Sequence, residues 1–143
     1  RDLPPRTVMV ENPTLLAELD PADAAEFASV TVVQDRYNWE RFREEVLSGV
    51  KIADEATLQK IEQHYSYSFD IDEFLPSFSR PVVFLTGRQD HVVGYRDAWR
   101  ILENYPRATF AVLDRAGHNA QIEQPQLFHA LLDEWLNRVR ETM

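Results

Sequence analysis

Two titratable residues occupy loop positions that suit acid–base catalysis. Asp90 lies in the segment 87–90 (GRQD) shortly after an apolar run, and His118 lies in the segment 116–119 (AGHN) shortly after a second run. A carboxylate beside an imidazole fixes the tautomer of the ring and stabilises the imidazolium that forms when the ring takes up a proton. With a nucleophile, such a pair completes a catalytic triad. Asp90 and His118 are therefore candidate catalytic residues.

The elements around these two residues are typical of an α/β sheet. Residues 81–86 form a continuous apolar run between a proline and a glycine, which predicts a strand buried on both faces. A helix over about 95–104, a second strand over 109–114 and a long helix opening at Pro125 follow. Parallel neighbouring strands bring the loops at their carboxyl ends together. We therefore expect Asp90 and His118 to meet.

The first half of the chain is acidic and helix-rich. Asn12 and Asp20 are each followed by proline, a combination that starts helices. Helices are predicted over about 13–19, 21–28 and 37–49 and from Asp54 onward, with short strand candidates at 7–10 and 29–33.

The residues around Asp90 and His118 resemble a known family. The segments PVVFLTGRQDHVVG and ATFAVLDRAGHNAQIEQP are similar to the last two strand–loop units of the α/β-hydrolase fold, over about residues 80–140. In that family the acid follows a strand ending in G-x-x-D, and the base is the histidine of G-H-x-x-x-x-E-x-P. The resemblance implies a partial α/β-hydrolase fold, with a helical cap before two parallel strands and their flanking helices. Residues 1–78 would form the mainly helical cap or lid, and residues 79–143 the C-terminal part of the core.

The nucleophile of this family stands on a G-x-S-x-G turn, where the glycines permit a strained strand-to-helix elbow. The chain has four glycines, and no two of them are four residues apart. An HGGG-type oxyanion loop is also absent from the sequence. We therefore expect the chain to supply the triad acid and histidine, while the nucleophile, a serine or an aspartate, lies in a missing N-terminal half. The sequence leaves open whether the chain was shortened naturally, by engineering or by proteolysis.

The resemblance implies that His118 deprotonates a nucleophile or water and that Asp90 orients His118. The reaction would be hydrolysis of a small-molecule ester, carbon–carbon or related bond, with no cofactor. Trp39, Val92 and Val93 are candidate substrate-binding residues, although the favoured interpretation of Trp39 is a place in the core of the cap or at its interface with the sheet. Glu123, ahead of Pro125, is interpreted as a charge at a helix N-terminus.

Composition excludes several other classes of function. The 24 acidic residues against 15 basic ones give a net charge of −9, which repels nucleic-acid phosphates. Without cysteine there is no disulfide, thiolate zinc site or cysteine nucleophile. The four histidines are scattered, and no apolar run approaches the roughly 20 residues that span a bilayer. We expect a cytoplasmic protein that binds neither nucleic acid nor membrane.

One alternative belongs to a different class, a non-catalytic α/β protein-interaction module. The lack of a nucleophile motif favours it, whereas the intact motifs around Asp90 and His118 favour the hydrolase. For the hydrolase, the expected partners are a small-molecule substrate and either the missing N-terminal half or a second copy of the chain. Either protein partner could pair with the free edge of the strand at 81–86.

Overall fold

The chain places a group of helices before a short parallel sheet. A computed structural model describes residues 2–69 and 77–143. The first range contains α1 (Pro13–Glu18), α2 (Pro21–Val30), α3 (Arg36–Phe42), a π-helical segment (Arg43–Leu47), α4 (Ser48–Ile52) and α5 (Glu55–Glu62). The second contains β1 (Val82–Gly87), α6 (Arg96–Arg100), a 3-10 turn (Leu102–Asn104), β2 (Ala108–Leu113), α7 (Ala120–Glu123) and α8 (Pro125–Arg140).

The first two helices begin where their capping residues predict. Asn12 Oδ1 accepts the N–H of Leu15 at 3.0 Å, and Asp20 Oδ1 accepts the N–H of Ala22 at 2.9 Å. Because α2 continues to Val30, the strand predicted at 29–33 is wrong over its first residues. What remains of both strand candidates is one parallel bridge between Val10 and Val33.

The helix predicted to end near Gly49 instead continues through the π-helical segment to Ile52. A glycine ends a helix when it takes a left-handed conformation, and among the described glycines only Gly94 has a positive φ, of 78°. The extra residue in the π-helical turn also changes the helical register there, which a pattern of 3.6-residue spacing does not anticipate.

An aromatic cluster forms the core of the first half. The ring of Phe27 on α2 lies 5.4 Å from those of both Trp39 and Phe42 on α3. Leu15 and Leu47 are buried against the same cluster. By contrast, every residue of α5 is exposed, including Leu58 and Ile61.

The sheet of the second half has helical layers on both faces. β1 and β2 are parallel and paired in register from Val82 with Ala108 to Gly87 with Leu113. On one face, Phe128 and Leu131 of α8 pack near Leu113. On the other, Trp99 of α6 lies 5.2 Å from the ring of Phe110.

β1 is half-buried along most of its length, so the prediction of a strand buried on both faces is wrong for this chain. Within the described residues β1 pairs with β2 alone, and its second edge has no neighbouring strand to cover it. The start of β1 is nevertheless anchored, because the indole N–H of Trp135 on α8 donates to the carbonyl of Pro81 at 2.9 Å. Among the described residues, none of the helices combines the length and the hydropathy of a membrane-spanning segment.

Candidate active site

The loops after β1 and β2 pack directly against each other. The N–H of Arg88 donates to the carbonyl of Leu113, and the N–H of Gln89 donates to the carbonyl of Ala116, each at 2.9 Å. A Cβ atom at Gly87 would lie 2.2 Å from the carbonyl oxygen of Gly117. Glycine at position 87 therefore permits a backbone contact that no other residue allows.

This contact brings Asp90 and His118 together. The Nδ1 atom of His118 lies 3.3 Å from Oδ2 of Asp90. The Asp90 side chain is 10% exposed, whereas that of His118 is 40% exposed. Because Nδ1 faces the carboxylate, Nε2 is the ring nitrogen left to exchange a proton with a reacting group.

The carboxylate of Asp90 is held by its own loop. Its Oδ1 accepts the N–H of Val92 at 2.9 Å and the N–H of Val93 at 3.0 Å. Burial acts to raise the pKa of Asp90, but the hydrogen bonds from Val93, Val92 and His118 outweigh it, and the pKa lies below its usual range. Asp90 is therefore an anion at neutral pH, the state that orients a histidine.

The other sequence-predicted site residues are placed differently. Val92 and Val93 adjoin the pair, and their contribution to it is the backbone N–H. Trp39 is buried in the aromatic cluster of the first half, where it packs α3 against α2. Substrate contact by these three side chains stays a prediction.

Glu123 makes contacts that the sequence did not predict. It lies in the first turn of the four-residue helix α7 and one residue before the N-cap of α8, as expected of a charge near a helix N-terminus. Its carboxylate, however, is bonded to backbone N–H groups outside both helices. Its Oε2 accepts the N–H of Gly117 at 2.5 Å, and its Oε1 accepts the N–H groups of Val32 at 2.5 Å and Val33 at 3.2 Å. Burial raises the pKa of Glu123 against the opposing effect of these hydrogen bonds. Its position in the G-H-x-x-x-x-E-x-P pattern is the one feature of the sequence that links it to His118.

No metal site accompanies the pair among the described residues. The described residues contain no group of three or more histidine and acidic side chains that could hold a metal ion. A cavity of about 270 Å³ beside α6 is lined by Asp2, Tyr95, Arg96, Trp99 and Arg100, and neither Asp90 nor His118 lines it.

Comparison with known proteins finds related hydrolases. No protein-family model matches the chain. A protein of Agrobacterium fabrum named "Putative carbamate hydrolase RutD" is 32% identical over 69 residues, which cover 48% of this chain and 26% of that protein. The protein of the same name from Stutzerimonas stutzeri is 28% identical over 65 residues, covering 46% of this chain and 24% of the relative. The match thus spans about a quarter of the length of these curated relatives.

The solved structure of an alpha/beta superfamily hydrolase from Oenococcus oeni PSU-1 superposes on 98% of this chain, with a TM-score of 0.85 and 21% sequence identity. The chain has part of the α/β-hydrolase fold. It spans 52% of the chain of that structure, so the prediction of a partial α/β-hydrolase fold is confirmed. Within this fold, β1 and β2 are parallel neighbours whose carboxyl ends carry Asp90 and His118.

Proposed function

We propose that the chain supplies the acid and the base of a hydrolase active site, with His118 as the base and Asp90 as the acid that orients it. The observation that supports this proposal is the approach of His118 Nδ1 to Asp90 Oδ2, at 3.3 Å. The pair lies at the carboxyl ends of two parallel strands, where α/β folds place their functional residues.

In this mechanism the neutral ring of His118 accepts a proton at Nε2 from a serine hydroxyl or a water molecule as that oxygen attacks the substrate. The anion of Asp90 holds the Nδ1–H tautomer and stabilises the imidazolium that results. The imidazolium then returns the proton to the leaving group. An aspartate nucleophile would need no deprotonation, and His118 would instead activate the water that hydrolyses the covalent intermediate. The nucleophile belongs to a segment other than residues 1–143, which would be the protein partner of this chain.

The proposed substrate is a small molecule with an ester, carbon–carbon or related bond. The names of the curated relatives add carbamates to the candidates. Carbamates and esters share a carbonyl carbon that the same nucleophile can attack, with the same proton transfers at the histidine. No cofactor enters this scheme.

The test uses the protein expressed from its complete reading frame, assayed against a panel of short aryl esters and aryl carbamates. We expect His118→Ala to lower kcat by about 10⁶-fold and Asp90→Asn by about 10⁴-fold, as for other triads. His129→Ala is the matched control, because His129 is exposed on α8.

Two further observations distinguish the proposed hydrolase from the alternative of a non-catalytic interaction module. The 143-residue chain alone should show no saturable turnover, because a base and an acid without a nucleophile and oxyanion hole lack the largest contributions to catalysis. The complete reading frame should encode a G-x-S-x-G or equivalent nucleophile turn. Absence of that turn, with no activity towards any substrate of the panel, would favour the interaction module.

A further inference from the structure

The carboxylate of Glu123 joins two backbone segments beside the candidate active site. One of its oxygens binds the N–H of Gly117, the residue immediately before His118, and the other binds the N–H groups of Val32 and Val33. Glu123 is only 7% exposed. A buried carboxylate that accepts hydrogen bonds on both oxygens is confined to a single position.

The backbone before His118 is also held by the end of β1 and the loop that follows it. The N–H of Gln89 donates to the carbonyl of Ala116 at 2.9 Å, and Gly87 lies against the carbonyl of Gly117. A Cβ atom at Gly117 would lie 3.0 Å from the carbonyl oxygen of Val30. The peptide that carries His118 is therefore confined between the end of β1 and the segment to which Glu123 is bound.

We infer that Glu123 is a positioning residue that keeps the ring of His118 within reach of Asp90. This inference rests on the proposed function, in which His118 is the base. The Nδ1–Oδ2 distance of 3.3 Å is already long for a hydrogen bond, so a small displacement of Gly117 would break it. Such a loss of geometry lowers the rate of the chemical step while leaving substrate binding intact.

The chemistry around Glu123 calls for a carboxylate in particular. Both oxygens act as acceptors, whereas glutamine has one acceptor oxygen and would direct its NH₂ group at a backbone donor. The guanidinium of Arg6, which donates to the carbonyls of Ala28 and Thr31, adds an attractive positive charge. Aspartate would keep both oxygens but is one carbon shorter, so it would lose some of the hydrogen bonds.

The experiment compares Glu123→Gln and Glu123→Asp with the wild type in the protein expressed from its complete reading frame. We expect Glu123→Gln to lower kcat by roughly 10- to 100-fold with KM nearly unchanged. The ¹⁵N-coupled NMR signal of the His118 Nδ1–H, which reports the bond to Asp90, should weaken or exchange faster with water. Glu123→Asp should give an intermediate result. The control is Glu103→Gln, since Glu103 is an exposed glutamate in the 3-10 turn.

A variant that loses stability while keeping kcat and the His118 signal would overturn the inference, because Glu123 would then have a structural role alone. If Glu123→Gln does not fold, the kcat and the His118 NMR signal of Glu123→Asp decide whether Glu123 positions the ring or has a structural role alone. Failure of the proposed function has a different signature. In that case His118→Ala leaves activity unchanged, while the NMR signal in the Glu123 variants still shows whether this carboxylate positions the ring.

Discussion

The carboxylate of Asp90 accepts hydrogen bonds from two backbone N–H groups and lies beside a histidine, so its ionisation is linked to folding. Its folded pKa is below the ordinary value of 3.8. The ionised form therefore contributes stability that is fully present above pH 3.8 and is lost as the pH falls through the folded pKa.

We expect Asp90→Asn to be less stable than the wild type at neutral pH, and the difference to shrink in acid. Urea midpoints measured for both proteins from neutral pH down to below 3.8 test this. Asp20→Asn is the control, since Asp20 is an exposed helix cap and asparagine caps helices about as well. A difference between Asp90→Asn and the wild type that stays constant with pH would contradict the assignment.

Gly87 and Gly49 form a matched pair for testing the contact between the two loops. A Cβ at Gly87 would meet the carbonyl oxygens of Gly117 and Ala116 at 2.2 and 2.5 Å, both of them backbone atoms, whereas a Cβ at Gly49 would meet nothing within 4 Å. We expect Gly87→Ala to cost about 1–3 kcal/mol of unfolding free energy or more. Gly49→Ala, inside a helix, should gain about 0.5–1 kcal/mol. Equal urea midpoints for the two variants would contradict this account of the loop contact.

At the scale of residues, the sequence predicts contacts between side chains that each lie within a recognisable local motif. Asp90 and His118 each stand in a short loop with a diagnostic glycine after an apolar strand, and strand order alone brings them together. The hydrogen bonds of Glu123 could not be predicted in the same way, because one of its partners, Val32, is 91 positions away. Nearly every residue carries a backbone N–H, so residue types do not indicate which of these groups will bind a carboxylate. Such a contact can be recognised only from the structure.

At the scale of elements, Phe27 is the aromatic side chain of α2 that packs against the rings of α3. Phe27 is completely buried and contacts the rings of both Trp39 and Phe42. We expect Phe27→Ala to lower the unfolding free energy by about 3–5 kcal/mol, from lost burial and the resulting cavity. Leu58→Ala on the exposed α5 should change it by less than about 0.5 kcal/mol. Chemical denaturation of both variants gives the comparison, and similar losses would mean that the cluster is not the core of this half.

Elements bounded by proline, glycine or a capping side chain could be predicted closely. β1 begins after Pro81, α8 begins at Pro125, and α1 and α2 follow Asn12 and Asp20. The π-helical segment could not, because it departs from the helical period on which the prediction relied. The burial of β1 was also misjudged, since burial depends on which strands flank it and not on its own apolar residues.

At the scale of the whole molecule, the unpaired edge of β1 is the surface at which we expect the chain to associate with another chain. Among the described residues only one edge of β1 is paired, and an unpaired apolar strand edge is a template for another chain. We expect the 143-residue chain, isolated from other proteins, to self-associate or to retain the complementary half of the fold. Size-exclusion chromatography with light scattering and mass spectrometry of the purified protein measure this.

The exposed apolar residues of α5 offer a competing surface for that association. A variant carrying both Leu58→Glu and Ile61→Glu removes this surface and leaves β1 unchanged. Association that persists in the variant supports the strand edge, whereas a variant that becomes monomeric assigns the contact to α5. A wild-type chain that is monomeric at dilute concentration, with no companion fragment, would contradict the prediction for both surfaces.

The positions of the tryptophans allow their fluorescence to report separately on the two halves of the chain. Trp39 lies in the aromatic cluster of the first half, and Trp135 is bonded to the start of β1 in the second. Trp99, at 60% exposure, is the one that a water-borne quencher reaches first. Replacing Trp99 with phenylalanine would therefore leave one emitter in each half. Further replacement of Trp39 or Trp135 would then let fluorescence show whether the halves melt in one transition or in two.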